Sequence, residues 1–275
     1  MHCDLSRGEY ESADLGFRVI RFFLESAEER DGGAGMRNMY HLVPIVMPSL
    51  FTAFTNEDIE NKIHAREQIL HLFYLLIRLV AWADGIDNEL VQSCLGETFQ
   101  SWMVLFLQLI QSNPKKYFNM KKNVLKCLVV IFRDFINFSK ESINLILKPA
   151  WKLLNSHLPV FTEVVAYNQT LQVDEEQEDD EDEQEEEHQV GNESFEEGEI
   201  YGVEGMTFHL LELLGALVQR PNVQGLVMQG LVPLITTVSS YLLVQYIHEK
   251  KHIGDPTYFI ADKSQELLKV ETIRS

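Results

Sequence analysis

Apolar residues recur at intervals of three and four through nearly the whole chain, and this spacing constrains the fold more than any other feature. It is the period of one face of an α-helix, whereas alternating runs bounded by hairpin turns are scarce. The sequence therefore predicts an all-α protein. The predicted helices cover residues 11–27, 36–54, 57–82, 89–112, 118–137, 141–164, 205–219, 222–248 and 257–269.

The predicted helix 57–82 is apolar on most of its circumference. One stripe consists of Ile59, Ile63, Leu70, Phe73, Ile77 and Val80, and a second of Ile69, Leu72, Leu76 and Leu79. The opposite side carries Glu60, His64, Glu67, His71, Tyr74 and Arg78, which we expect to form one narrow solvated face. A helix of this kind needs apolar neighbours on several sides. A helix that lies between two adjacent repeats has such neighbours.

Short connections and a regular spacing predict how these helices are arranged. Helix pairs begin near residues 36, 89 and 141, a period of roughly fifty residues that is close to the ~40–47 residues of HEAT and armadillo units. We therefore predict a right-handed superhelical solenoid of HEAT repeats. The predicted divisions are a partial repeat and loop in 1–35, HEAT-like helix pairs in 36–167, an acidic disordered insertion in 168–204, and continuing HEAT-like helices in 205–275.

Three of these segments share a proline within an apolar run, at Pro44, Pro149 and Pro233. Proline lacks a backbone donor and bends a helix, so we expect curved helices at these positions.

The acidic insertion carries most of the charge of the chain. The formal net charge is −19, and residues 174–204 contain 17 acidic side chains, while no Lys or Arg lies between Lys152 and Arg220. A segment with so many charges and so few apolar residues does not bury enough surface to offset its ordering entropy, so we predict disorder in the unbound chain. Its charge argues against nucleic acid or an anionic membrane as a direct partner and favours a basic protein.

The densest part of the insertion is the candidate cargo-binding site. This acidic run, residues 174–187, consists of Asp174, Glu175, Glu176, Glu178, Asp179, Asp180, Glu181, Asp182, Glu183, Glu185, Glu186 and Glu187 with two glutamines. The alternatives are a solubilising loop without a partner and a weak calcium site, although the run lacks the loop pattern of a calcium-binding hand. The main basic cluster, Lys115, Lys116, Lys121, Lys122 and Lys126, is either a dock for the acidic run or a solvated helix face.

The sequence holds no recognisable catalytic or metal-binding motif, and we expect neither enzymatic activity nor a cofactor. No GxSxG, HExxH or phosphate-loop pattern is present. His248 and His252 have the spacing of metal ligands, but two lysines lie between them. The cysteines are not paired as in a small secreted domain, and we expect Cys94 and Cys127 to be buried thiols.

The uncharged stretch 221–247 is long enough to raise the alternative of a membrane span. Its polar residues Gln229, Thr236 and Ser240 recur at intervals of seven and four, so they share one face of a helix. This pattern favours an amphipathic helix of a folded core.

Several short segments, in this order along the chain, resemble the importin-9-like karyopherin-β family of nuclear import receptors. They are Ala65-Arg66-Glu67-Gln68-Ile69, Met120–Lys126, Ile146–Trp151, Val164–Asn168, Gly198–Gly202 and Asp255–Phe259. The resemblance covers about residues 40–260 and rests on the order of weak motifs.

The resemblance implies a HEAT-repeat superhelix that wraps basic cargo, such as core histones or ribosomal proteins, and releases it with the help of Ran-GTP. It also implies a location in cytoplasm and nucleus. Receptors of this family are far longer, and their amino-terminal Ran-binding repeats have no counterpart here, so we expect a fragment that does not bind Ran by itself. The alternative function is a non-shuttling acidic histone chaperone or a helical-repeat scaffold subunit.

Overall fold

The computed structural model shows an all-α protein throughout its described part, as the apolar spacing predicts. The described residues are 16, 18–26, 40–56, 63–82, 95–96, 98–135, 140–177, 197–220, 233 and 235–241. The chain divides into two compact units, one of Met1–Ser112 with Asn123–Leu147 and the other of Asn113–Lys122 with Lys148–Ser275. The predicted helices 257–269 and most of 222–248 lie outside the described residues.

Six long helices are described, together with the shorter helical stretches 18–26 and 235–241. They are α1 (Val43–Thr55), α2 (Ile63–Trp82), α3 (Phe99–Gln111), α4 (Phe118–Asp134), α5 (Ile143–Gln177) and α6 (Glu197–Val218). Short 3-10 turns, Tyr40–Leu42 and Lys140–Ser142, precede α1 and α5.

In the first unit, α2 is the central helix. Its residues from Ile69 onward are buried on most sides, as the two apolar stripes predict, although Ile63 at its start is 46% exposed. Trp102 of α3 packs its ring against Phe73 of α2 at 4.5 Å between centroids and against Phe54 of α1 at 5.8 Å. Trp102 is 1% exposed and therefore belongs to the core of this unit.

The polar side of α2 differs in part from the prediction, because it contacts neighbouring helices. The His64 side chain is 75% exposed, but those of Glu67 and His71 are only 19% and 24% exposed. His71 Nε2 lies 2.9 Å from Glu25 Oε1 in the stretch 18–26. Asn123 of α4 donates to the Glu67 carbonyl at 3.3 Å, and the Lys126 ammonium lies 5.5 Å from the ring centre of Tyr74. Long polar side chains can pack and hydrogen-bond across a helix interface, so polarity alone does not predict solvation.

The second unit is built around α5. Near its middle α5 contacts α6 through His157 and the stretch 235–241 through Tyr241, whose hydroxyl donates to the Leu154 carbonyl at 3.5 Å. The Phe161 and Tyr241 rings are 5.1 Å apart. In 235–241, Val238 and Tyr241 are buried while Ile235 is 40% exposed, so this part has the predicted amphipathic character.

Several helix ends differ from the predicted ones. The predicted helix 89–112 is interrupted by a turn at Gly96 and Thr98, since glycine is a poor helix former, and α3 begins at Phe99. The predicted helix 118–137 ends at Asp134. The prolines also differ: Pro44 lies in the first turn of α1, where no donor is needed, while Pro149 lies inside α5.

None of the described helices is long and apolar enough to span a membrane. Only 233 and 235–241 of the uncharged stretch 221–247 belong to the described residues.

Candidate partner-binding segment

The acidic run begins on the last turn of α5. The helix continues to Gln177, so Asp174, Glu175 and Glu176 have helical backbone. The rest of the run, Glu178–Glu187, lies outside the described residues. Residues 168–177 and 197–204, which the sequence analysis includes in the insertion, have helical backbone in α5 and α6. Gln, Leu and Glu are good helix formers, and extending an existing helix costs far less than nucleating one.

A buried hydrogen-bond chain joins the two helices that flank the run. The Thr207 hydroxyl donates to the Val203 carbonyl at 2.9 Å within α6. It therefore accepts from His157 of α5, whose Nε2 lies 2.7 Å away. His157 and Thr207 are both 0% exposed. The imidazole is thus neutral with its proton on Nε2, and it fixes one point of α5 against α6.

Burial controls the protonation of this histidine. The loss of solvation lowers the pKa of His157 to about 3, against a smaller opposing effect of the hydrogen bond to the Val203 carbonyl, while the positive charge of Lys121 lowers the pKa slightly further. The ring also lies 6.3 Å from that of Phe118, the first residue of α4. His157 is therefore a structural residue of the second unit at neutral pH.

Two glycines let α6 approach the start of α4 closely. A Cβ atom at residue 202 would lie 2.9 Å from the Phe118 Cβ, and one at residue 205 would lie 2.6 Å from the Lys122 Cδ. Contacts shorter than 3.0 Å are essentially absent between real Cβ atoms and their neighbours. Gly202 and Gly205 thus place the first turns of α6 against residues 118–122.

The structure separates the five lysines of the predicted basic cluster. Lys121 is 0% exposed, its ammonium donates to the Asn113 carbonyl, and burial lowers its pKa to about 8. Lys122 donates to the Asn119 side chain at 3.0 Å. Both interpretations of the cluster as one surface, a dock or a solvated face, are therefore wrong for Lys121.

Two other lysines of the predicted cluster, Lys115 and Lys116, are exposed on the loop before α4. Lys115 forms an ion pair with Glu163 of α5 at 3.0 Å, and both side chains are about half-exposed. This loop also contains the described non-glycine residue with positive φ, Tyr117 at 61°. A bulky residue in the left-handed region costs roughly 1–2 kcal/mol.

Other predicted site residues have mixed outcomes. Cys127 is completely buried and donates weakly to the Leu70 carbonyl at 3.8 Å, so its predicted burial is confirmed, and burial raises its thiol pKa. Cys94, His248 and His252 lie outside the described residues. Among the described side chains, no group of three or more His, Cys, Asp or Glu residues is arranged to hold a metal ion.

No protein-family model matches the chain. No solved structure matches it either. The resemblance to karyopherin-β receptors therefore stays a prediction from the sequence.

Sequence reasoning missed His157 and Thr207, which join α5 to α6, and the two glycines that bring α6 close to the start of α4. A signal is visible for the glycines, because their spacing of three places them on one face of α6. His157 follows Asn155 and Ser156 in the sequence and matches no local motif, so only the packing reveals its role.

Proposed function

We propose that this chain is a cargo-binding segment of a nuclear transport receptor for basic proteins such as core histones or ribosomal proteins. In this proposal the acidic run 174–187 binds the basic surface, and the helices carry the run. The observation that carries the proposal is the concentration of charge, because 12 of the 14 residues in the run are acidic.

The attachment of the run to the second unit supports this role. Asp174 lies 17 residues after His157 along α5, which corresponds to roughly 25 Å of helix. On the other side, α6 begins at Glu197, only six residues before Val203. The run therefore lies between two helices that a buried contact joins, so a bound partner is held by the folded unit.

The expected strength follows from the energies of exposed ion pairs. Each pair contributes ~0.2–1 kcal/mol because water and side-chain entropy oppose it. About five simultaneous pairs give a few kcal/mol, or roughly a hundredfold in affinity. Added salt screens such contacts, so affinity decreases with ionic strength.

The proposed frame is a solenoid of HEAT-like repeats. This is supported by α2, which contacts the stretch 18–26 before it and both α3 and α4 after it in the first unit. A helix that touches elements on both sides in sequence order is what stacked repeats require.

A binding experiment followed by an import experiment tests the proposal. We expect immobilised wild-type chain to retain core histones at low salt and a variant lacking 174–187 to lose most of this retention. Equal retention by both proteins would exclude the acidic run as the binding site.

Fluorescent core histones in permeabilised cells distinguish the two candidate classes. We expect the chain, supplied with the soluble transport factors, to increase their nuclear accumulation. Binding without any increase in accumulation would instead favour the alternative, a non-shuttling histone chaperone or scaffold subunit built on the same acidic run.

A further inference from the structure

Tyr201 presents an exposed phenol on the first turns of α6. The residue is 59% exposed, and its hydroxyl forms no hydrogen bond with another described residue. Among the described tyrosines, Tyr117 and Tyr201 are the exposed ones, whereas Tyr241 is buried and donates to the Leu154 carbonyl. The packing of the second unit therefore leaves the phenol of Tyr201 open to another protein.

The residues that precede Tyr201 are strongly acidic. The eight residues 193–200 contain no Lys or Arg and include the four glutamates Glu193, Glu196, Glu197 and Glu199. Ile200 lies directly before the tyrosine. Protein kinases select their substrates in part by charge, so that acidic residues around an acceptor hydroxyl suit a basic peptide groove. Two lysines directly precede Tyr117, so the two exposed tyrosines differ in the charge beside them.

Tyr201 lies at the end of a helix, where a peptide segment unwinds most easily. It is the fifth residue of α6, which begins at Glu197. The first amide groups of a helix have no acceptor within it, and helix ends open at little cost in free energy. The packed part of α6 begins directly afterwards, with Gly202 against Phe118 and the Val203 carbonyl as acceptor for Thr207. We therefore expect residues 197–201 to unwind into an extended groove while the rest of α6 stays packed.

We propose that Tyr201 is a phosphorylation site for a protein tyrosine kinase with a basic peptide groove. The phenolic oxygen attacks the γ-phosphorus of ATP and forms a new O–P bond. The bond from that phosphorus to the bridging oxygen breaks, ADP leaves, and the phenolic proton passes to a carboxylate of the kinase. The product carries about −1.5 to −2 additional charges at pH 7, within the acidic insertion 168–204.

The site is mapped by mass spectrometry on the full chain. The chain is incubated with Mg-ATP and a purified tyrosine kinase domain that selects acidic peptides, and a synthetic peptide of residues 193–205 is treated in parallel. We expect phosphate on Tyr201 in both substrates and about tenfold less on Tyr117 in the chain. A modified peptide beside a chain unmodified at Tyr201 would show that the fold blocks access and would overturn the proposal. An unmodified peptide, or equal modification of Tyr117 and Tyr201, would overturn it as well.

The acidic neighbours are tested by charge removal. The double variant Glu197→Gln/Glu199→Gln keeps the size of both side chains and removes two contacts to a basic groove. Phosphorylation of Tyr201 should become about fivefold to tenfold slower in this variant. Glu141 is an exposed glutamate of the first unit, so Glu141→Gln is the control and should be modified at the wild-type rate. Equal rates for the double variant and the wild type would contradict recognition by charge.

The effect of the phosphate on binding rests on the proposed function and is measured with core histones as the probe. The added charge should make the kinase-treated wild type bind about threefold more tightly at low salt than a Tyr201→Phe variant treated in the same way. Equal affinities would overturn this effect. Failure of both proteins to bind histones would reject the proposed function, while the mapped phosphate on Tyr201 would still support the modification site.

Discussion

The Nε2 atom of His157 lies 2.7 Å from the hydroxyl oxygen of Thr207, and neither side chain is exposed to solvent. This contact connects α5 to α6, the two helices from which the acidic run extends. The imidazole in this contact is neutral, because burial disfavours its charged form and the positive charge of Lys121 acts in the same direction.

Acid should destabilise the chain through His157. Its folded-state pKa is about 3, whereas an exposed histidine has a pKa of about 6.5. As the pH falls below 6.5, the unfolded chain binds a proton that the folded chain does not, so stability decreases until the pH reaches the folded pKa. At pH 5 the expected loss is on the order of 2 kcal/mol.

The loss is measured by urea unfolding of wild type and His157→Gln at pH 7 and pH 5. Other groups titrate equally in both proteins, so the difference between their pH responses isolates His157. Between pH 7 and pH 5, the free energy of unfolding of the variant should fall by about 2 kcal/mol less than that of the wild type. An identical response in both proteins would show that His157 is not buried in its neutral form.

Lys121 is expected to reduce stability at neutral pH. Burial lowers the pKa of Lys121 to about 8, whereas its ordinary value is 10.5. Between these two pH values the unfolded chain keeps a proton that the folded chain has released. The free energy of unfolding therefore rises across this window. Lys121→Met keeps the volume and removes the charge, and it should raise the free energy of unfolding at pH 7 by about 1 kcal/mol. Thermal unfolding at pH 7 and pH 9.5 measures both effects, and a variant less stable than wild type at pH 7 would contradict this account.

Three glycines of α6 form a graded series for alanine substitution. Gly202→Ala should destabilise by about 1–2 kcal/mol, because its Cβ would press against the Phe118 Cβ at 2.9 Å. Gly205→Ala meets the flexible end of Lys122 and should be close to neutral. Gly215 has nothing within 4 Å, so Gly215→Ala should stabilise by up to about 1 kcal/mol through helix propensity. Urea unfolding measures the free energy of unfolding of the three variants and so gives their order. A Gly202→Ala variant as stable as Gly215→Ala would contradict the close packing of α6 on the start of α4.

Trp102 should dominate the stability of the first unit. Its ring lies within 6 Å of the rings of Phe51, Phe54, Phe73 and Phe106. Trp102→Ala should cost about 3–5 kcal/mol, and Trp102→Phe clearly less. Val104 is 55% exposed on the same helix, so Val104→Ala serves as the control and should stay within about 0.5 kcal/mol of wild type. Equal losses for Trp102→Ala and Val104→Ala would show that the aromatic cluster is not a core.

The helices were predictable from sequence because their apolar stripes repeat at helical spacing. Helix ends were less predictable, since they depend on the balance between residues that extend a helix and residues that interrupt it. Gly96 interrupts one predicted helix, whereas helix-forming residues after Tyr167 extend α5 into the acidic insertion. The sequence predicts a solvated polar side for α2, because it does not reveal that His71 contacts Glu25, which lies 46 residues away in the chain.

The acidic run was predictable from composition, but its surroundings were not. Five lysines close in sequence suggested one basic surface, and only packing shows that Lys121 is buried while Lys115 and Lys116 are exposed. The direction of a side chain at the start of a helix depends on the neighbouring helix. Here that neighbour is α6, brought close by Gly202 and Gly205.

The most direct test of the central claim is a titration of core histones into the full chain at several salt concentrations. The key variant replaces each acid of 174–187 by its amide, and a control carries the same 14 residues in shuffled order. We predict roughly hundredfold weaker binding by the amide variant at low salt, an affinity of the wild type that falls with salt, and a shuffled control that binds like wild type. Equal affinity of wild type and amide variant at every salt concentration would contradict the claim that the acidic run binds a basic partner.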